Sequence, residues 1–164
     1  MKLVYKVLAS LVAAEVAVQA MVVVLGDAGL FKYVEQGGVI DKAAAESGGI
    51  DFPEFFAFVV HGVNGMMVIP SIALFLLVSS FFAKLPGAVK GAALVVLLVA
   101  VQVSLGLLGH QIPALGALHG LNALLLFSAA VHAARRGREV AVGAAVGAAV
   151  GAPAQPHGRV ETVA

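Results

Sequence analysis

Four long, predominantly apolar stretches decide what this chain can fold into: Leu3–Leu25, Phe55–Phe82, Val89–Leu108 and Ala114–Ala134. A helix of about 20 apolar residues crosses the hydrocarbon core of a bilayer. Hydrocarbon offers no hydrogen bonds, so the backbone there must satisfy itself, as a helix does. The expected fold is therefore all-α, a polytopic membrane four-helix bundle. Of the 164 residues, 61% are hydrophobic and 12% charged, too little polar surface for a soluble domain of this size. Lipid is the first expected partner. The net charge of +1 says nothing about nucleic acid, but no basic patch interleaved with aromatics exists to bind it, so nucleic acid is not an expected partner. The chain has no cysteine, which excludes disulfides, thiolate metal sites, thiol catalysis and covalent c-type haem attachment.

The charges between the spans set an expected orientation. Lys2, Lys6, Lys84, Lys90, Arg135, Arg136, Arg138 and Arg159 fall on the termini and the middle turn. The long first loop, residues 26–54, carries Lys32 and Lys42 against Asp27, Glu35, Asp41, Glu46, Asp51 and Glu54. The positive-inside rule puts both termini in the cytoplasm and the acidic loop outside. The expected location is a bacterial inner (plasma) membrane, crossed several times. Val18-Gln19-Ala20 weakly resembles a signal-peptide cleavage site, but Glu15 interrupts the apolar run and the run continues past Ala20, so the first stretch is read as a span.

Local signals mark the helix ends. Asp51-Phe52-Pro53-Glu54 reads as an N-cap, a proline in the first turn and a capping glutamate. Pro113 opens the fourth span and Pro86-Gly87 separates the second from the third. Pro70 removes a backbone donor and crowds the Met66 carbonyl, so a kink is expected there. Tyr5 reads as an anchor at the inner interface. The bundle occupies residues 1–136. Residues 137–164, with a Val-Gly-Ala tract and then a proline-containing polar segment holding His157, read as a low-complexity, disordered cytoplasmic tail.

An internal repeat is the most informative pattern. His61-Gly62-Val63-Asn64-Gly65 opens the second span and His119-Gly120-Leu121-Asn122-Ala123 the fourth. In the preceding spans Gln19 and Gln102 are each followed seven residues later by glycine, Gly26 and Gly109. Gln19 precedes His61 by 42 residues and Gln102 precedes His119 by 17, the difference being the first loop. The bundle thus reads as two repeated helix pairs, and sites in such proteins lie between the repeats.

Both histidines enter from the same side and reach similar depth, on helices that lie diagonally across a four-helix bundle. Facing side chains there build cofactor sites. Asn64 and Asn122 lie three residues on, along the same faces, while Gly62, Gly65 and Gly120 remove bulk beside the rings. Two opposed neutral imidazoles in an apolar cage answer to the needs of bis-histidine haem b. Each ring also needs an acceptor at its other nitrogen, which a backbone carbonyl or a glutamine of the neighbouring helix, Gln19 or Gln102, can supply. The competing reading makes these residues interhelical hydrogen-bond glue and close-packing glycines. Zinc or copper needs more ligands than two. His110 and Gln111 sit at the outer mouth, where they or Lys32 or Lys42 can meet a haem propionate. Glu15, one turn from Gln19 inside the first span, reads as a proton or quinone contact, or as another interhelical hydrogen bond. His132, beside Arg135 and Arg136, reads as interfacial.

Val101-Gln102-Val103-Ser104-Leu105-Gly106, followed by Leu118-His119-Gly120-Leu121-Asn122-Ala123, resembles one four-helix half of the haem A synthase family, and also a group of small bacterial four-span membrane proteins with a Leu-His-x-x-Asn-Ala pattern. The resemblance covers about residues 3–135. It implies a bundle whose second and fourth helices supply a haem-ligand pair, His61 and His119. The departures are specific. Haem A synthase has two such halves. The glutamate its members carry four residues after a ligand histidine is Gly65 after His61 and Ala123 after His119, and the loop cysteines are missing. Haem A synthesis is therefore not expected. The expected function is electron transfer by a small b-type cytochrome, to a partner protein or a quinone. The alternatives are a cofactor-free accessory or scaffold subunit of a larger membrane complex, and a small transporter working as a homodimer.

Overall fold

The computed structural model describes the backbone of residues 1–151 and the side chains through Arg136. Among the described residues every element is a helix. These are α1 (Lys2–Glu35), a short α2 (Lys42–Ser47), α3 (Pro53–Phe82), α4 (Ala88–Gly109) and α5 (Pro113–Gly151). Four of them, with α5 counted over Pro113–Arg136, are long and apolar enough to cross a membrane. Within the most apolar stretch of each, only 17 to 28% of residues are buried by the rest of the chain. Most apolar side chains therefore face outward, as lipid requires and water does not tolerate.

The spans pack as a ring. α1 lies against α3 and α5, and α4 lies against α3 and α5, which leaves α3 and α5 as diagonal partners. The buried core is confined to one end. It consists of Tyr5, Ala9, Val12, Ala13 and Val16 of α1, Ile69, Ala73 and Leu76 of α3, Ala88, Ala92, Val95 and Val99 of α4, Leu126, Ala130 and Ala133 of α5, and Ala83 in the α3–α4 turn. This end carries Lys2, Lys6, Lys84, Lys90, Arg135 and Arg136, and is the basic end. Small residues let the helices approach closely, which replaces the hydrophobic drive that lipid cannot supply. In the opposite half, the loop end, the spans bury only Gly26, Gly29 and Ala57, with Phe52 capping the start of α3. There the Phe56–Val63 part of α3 packs mainly on α1, whereas Ile69–Phe82 packs on both α1 and α4.

Several elements differ from the sequence reading. α1 runs ten residues beyond Leu25, to Glu35, because Gly26 and Gly29 give room to Phe58 and Glu54 of α3. A Cβ at Gly26 would come within 2.8 Å of the Phe58 ring. The extra turns are thus held by packing that hydropathy does not register. Asp51 does not cap α3. The helix starts with a tight turn at Pro53–Phe55 behind an extended, buried Phe52, and Glu54 faces Gly29 and forms an ion pair with Lys32. Asp41 is the side chain that caps, accepting from the Ala44 N–H at 2.7 Å at the start of α2. One turn before Pro70, α3 widens into a π-helical turn over Asn64–Val68, which absorbs the missing proline donor within the ladder.

Tyr5 is a core residue rather than an interfacial anchor. It is fully buried, and its hydroxyl donates to the Ala88 carbonyl at 3.2 Å. Gly87 turns the chain into α4 with φ +71°, and any Cβ there would run into the Arg136 guanidinium. α5 continues helically to Gly151, through the first part of the segment read as disordered. Alanine is the best helix former, and an existing helix needs no new nucleus to propagate into such a tract. The rest of that tail, with His157 and Arg159, lies outside the described residues.

Because the core sits at the basic end, truncations there and on the outward faces should differ. Leu76→Ala, fully buried, is expected to lower unfolding free energy by roughly 1–3 kcal/mol. Leu97→Ala, 59% exposed, is expected to change it by less than about 0.5 kcal/mol. Reversible unfolding in mixed micelles measures both.

Candidate functional site

His61 and His119 meet across the diagonal of the bundle, where the packed core gives way to the loop end. Their ring centroids are 6.2 Å apart and their planes are inclined at 58°. Each ring is tethered to the helix that precedes it in the chain. His119 Nδ1 lies 2.9 Å from the Gln102 carbonyl, and His61 Nδ1 lies 3.4 Å from the Gln19 carbonyl. A carbonyl only accepts, so Nδ1 is the donor in each tether. Nε2 is the ring nitrogen left over in each case. The glutamines contribute their backbone oxygens here, not their side chains.

Those side chains have other roles. Gln19 Nε2 donates to the His61 carbonyl at 2.9 Å, bracing the helix at the residue that carries the ring. Gln102 Oε1 accepts from Asn122 Nδ2 at 2.7 Å, and the same nitrogen donates to the Leu98 carbonyl at 2.9 Å. Asn64 Nδ2 donates instead to Glu15 Oε2 at 2.8 Å. Asn64 and Asn122 are both buried, at the level where the core ends.

The sequence repeat is therefore also a repeat of contacts. Gln19 and His61 answer to Gln102 and His119. Glu15 and Asn64 answer to Leu98 and Asn122. Gly26 against Phe58 answers to Gly109 against Gly116, where a Cβ at Gly109 would lie 3.0 Å from the Gly116 backbone. Glycine at the third level lets each antiparallel pair close beyond its histidine.

The remaining glycines fall into two groups. Gly65 is tight, since a Cβ there would lie 2.6 Å from Gln19 Nε2. Gly62 and Gly120, next to the histidines in sequence, have nothing within 4 Å of a built Cβ. They leave open space rather than admit a neighbouring helix. Gly106, which sequence reasoning quoted only as part of a motif, is a site residue: a Cβ there would lie 3.1 Å from both Cε1 and Nδ1 of His119. Its signal was available in the spacing, one turn after Gln102. The first pair has Val23 at that position, beside the longer tether of His61.

His110 and Gln111 are exposed at the end of α4 and make no side-chain hydrogen bond among the described residues. Lys32 and Lys42 are engaged with Glu54 and Glu46. An open groove of about 420 Å³ lined by Lys6, Ser10, Ala13, Val131, Ala134 and Arg135 lies at the basic end and shares no residue with the histidine site. Among the described residues no three histidine, aspartate or glutamate side chains gather as a metal site. A metal held here would have to bring most of its own ligands. Compared with protein-family models, curated proteins and solved structures, the chain matches none.

The glycine environments separate cleanly in a mutational test. Gly62→Ala is expected to be neutral or stabilising by up to about 1 kcal/mol, from helix propensity alone. Gly65→Ala displaces the Gln19 amide from the His61 carbonyl and is expected to destabilise by about 1 kcal/mol. Asn122→Ala, which removes two hydrogen bonds, should lose roughly 1–2 kcal/mol. Reversible unfolding in mixed micelles again reads all three.

Proposed function

We propose that this chain is a small membrane b-type cytochrome that holds one haem between His61 and His119 and passes single electrons to a partner protein or a quinone. The observation that carries this reading is a facing pair of imidazoles at the level where the buried core of the bundle ends. Two imidazoles on opposite sides of one iron, each with a metal–nitrogen bond of about 2 Å, put their ring centroids roughly 6.3 Å apart. The separation here is 6.2 Å. Two protein ligands suffice for haem iron, because the porphyrin brings four nitrogens of its own.

The surroundings fit the group. The loop end lacks buried side chains larger than alanine in its spans, so an apolar macrocycle there replaces packing that the chain does not supply to itself. A Cβ at Gly62 or Gly120 would meet no other atom within 4 Å, so neither position is closed by a neighbouring helix. The Nδ1 tethers fix ring orientation and raise the basicity of Nε2, as carbonyl partners of metal-bound histidines do. When bound, haem supplies a one-electron iron couple. With His61 and His119 both holding it, the group would suit electron transfer better than oxygen activation. Gly65 and Ala123 stand where the haem A synthase family has glutamate, so the same reading excludes haem A synthesis.

In this account the chain lies in a bacterial inner membrane with its basic end in the cytoplasm. The site then sits toward the outer leaflet, within reach of an external partner or a membrane quinone. His110, Lys32 and Lys42 are the polar residues near that mouth for the propionates.

Purified in detergent after expression with haem available, the protein is expected to bind one haem per chain. A low-spin spectrum with a sharp α-band should appear on reduction. His61→Ala and His119→Ala should each abolish that spectrum while the chain stays folded by circular dichroism. A colourless, folded wild-type protein, or colour that persists unchanged in both variants, contradicts the assignment.

A further inference from the structure

The two helix pairs match at each polar level of the site except one. Glu15 lies four residues before Gln19, and Leu98 lies four before Gln102. In the second pair, Asn122 donates to the Leu98 carbonyl and to Gln102 Oε1, so the glutamine oxygen is satisfied. In the first pair, Asn64 donates to Glu15. That leaves Gln19 Oε1 and Asn64 Oδ1 buried with no partner. Asn64 is only 9% exposed, and buried amide oxygens are rarely left unpaired. Glu15 thus sits against an asparagine whose own oxygen, Asn64 Oδ1, is buried and lacks a donor.

Among the described residues no positive charge is supplied to the Glu15–Asn64 pair. Two helical turns to either side of Glu15, α1 has no lysine or arginine. From residue 55 to the end of α3 the only titratable side chain is His61, and α5 offers only His119 before His132. α4 has none between Lys90 and His110. Both site histidines have Nδ1 on carbonyls. The two ion pairs among the described residues, Lys32–Glu54 and Lys42–Glu46, lie elsewhere. An ionised carboxylate without a counter-charge is expensive inside a bilayer.

We infer that Glu15 is a proton-binding site within the membrane, present in the first helix pair and replaced by Leu98 in the second. The carboxyl group is held as the neutral acid in a two-bond pair with Asn64. One carboxyl oxygen accepts from Asn64 Nδ2, and the protonated one donates back to the otherwise unpartnered Asn64 Oδ1. The proton comes from bulk water and no other bond is made or broken. The site does not depend on what His61 and His119 hold.

Infrared spectroscopy of the full chain in phosphatidylcholine vesicles tests this, because a protonated carboxyl has a carbonyl stretch that an ionised one lacks. At neutral pH the wild type is expected to show that band. Glu15→Gln and Glu15→Leu should both lose it, the second variant copying the chain's own second pair. Raising the pH should diminish the band, and replacing choline chloride with sodium chloride should leave it unchanged. The absence of any Glu15-dependent band at neutral pH overturns the inference. Loss of the band on adding sodium also overturns it, by assigning the cluster to a metal cation.

Discussion

A histidine ring nitrogen held by a backbone carbonyl of the neighbouring helix, made once in each helix pair, sets the geometry on which the rest of the site depends. Each tether ties a side chain of one helix to the backbone of the helix that precedes it in its pair. The carbonyls belong to Gln19 and Gln102, which lie at equivalent turns of α1 and α4. Each tether fixes a ring, a tautomer and the depth of its helix at once. Because the two pairs are assembled face to face, the two rings come to one level of the bundle, their centroids 6.2 Å apart.

The two rings meet where the buried core ends. Below the level of Asn64 and Asn122 the bundle is closed by alanine, valine and leucine, with Tyr5 sealing the basic end on Ala88. Above it, the first part of α3 leans on α1 and the π turn over Asn64–Val68 lets the helix change course between the two regimes. A helix turn with a widened ladder next to a site residue is a common way of placing one side chain without disturbing the core. The division sets a basic end with a continuous buried core against a loop end whose spans bury only Gly26, Gly29 and Ala57. It also accounts for the asymmetry between the pairs. Gly106 brings His119 close to its carbonyl, whereas Val23 stands at the matching position beside His61.

Much of this was legible in the sequence because its causes are periodic or repeated. Span length and hydropathy gave the four helices, and the matched His-Gly-x-Asn motifs singled out the residues that meet. What could not be read depended on contacts between helices far apart in the chain. The extension of α1 to Glu35 rests on Gly26 and Gly29 receiving Phe58 and Glu54. The failure of Asp51 to cap α3 follows from the burial of Phe52, which fixes the entry of the chain. Gln19 and Gln102 were found as residues but not as atoms, because a backbone carbonyl is present at every position and carries no sequence signal. The same holds for Tyr5, whose composition-level role as an interfacial aromatic gives way to one carbonyl partner.

The central claim is that both histidines bind one iron from opposite sides. Pulsed electron paramagnetic resonance of the ferric protein, expressed with ¹⁵N-labelled histidine, measures this directly. A low-spin signal with hyperfine coupling to nitrogens of two histidines is predicted, reduced to one or lost when His61 or His119 is replaced. A high-spin signal, coupling to a single histidine, or no ferric signal after haem loading would contradict it.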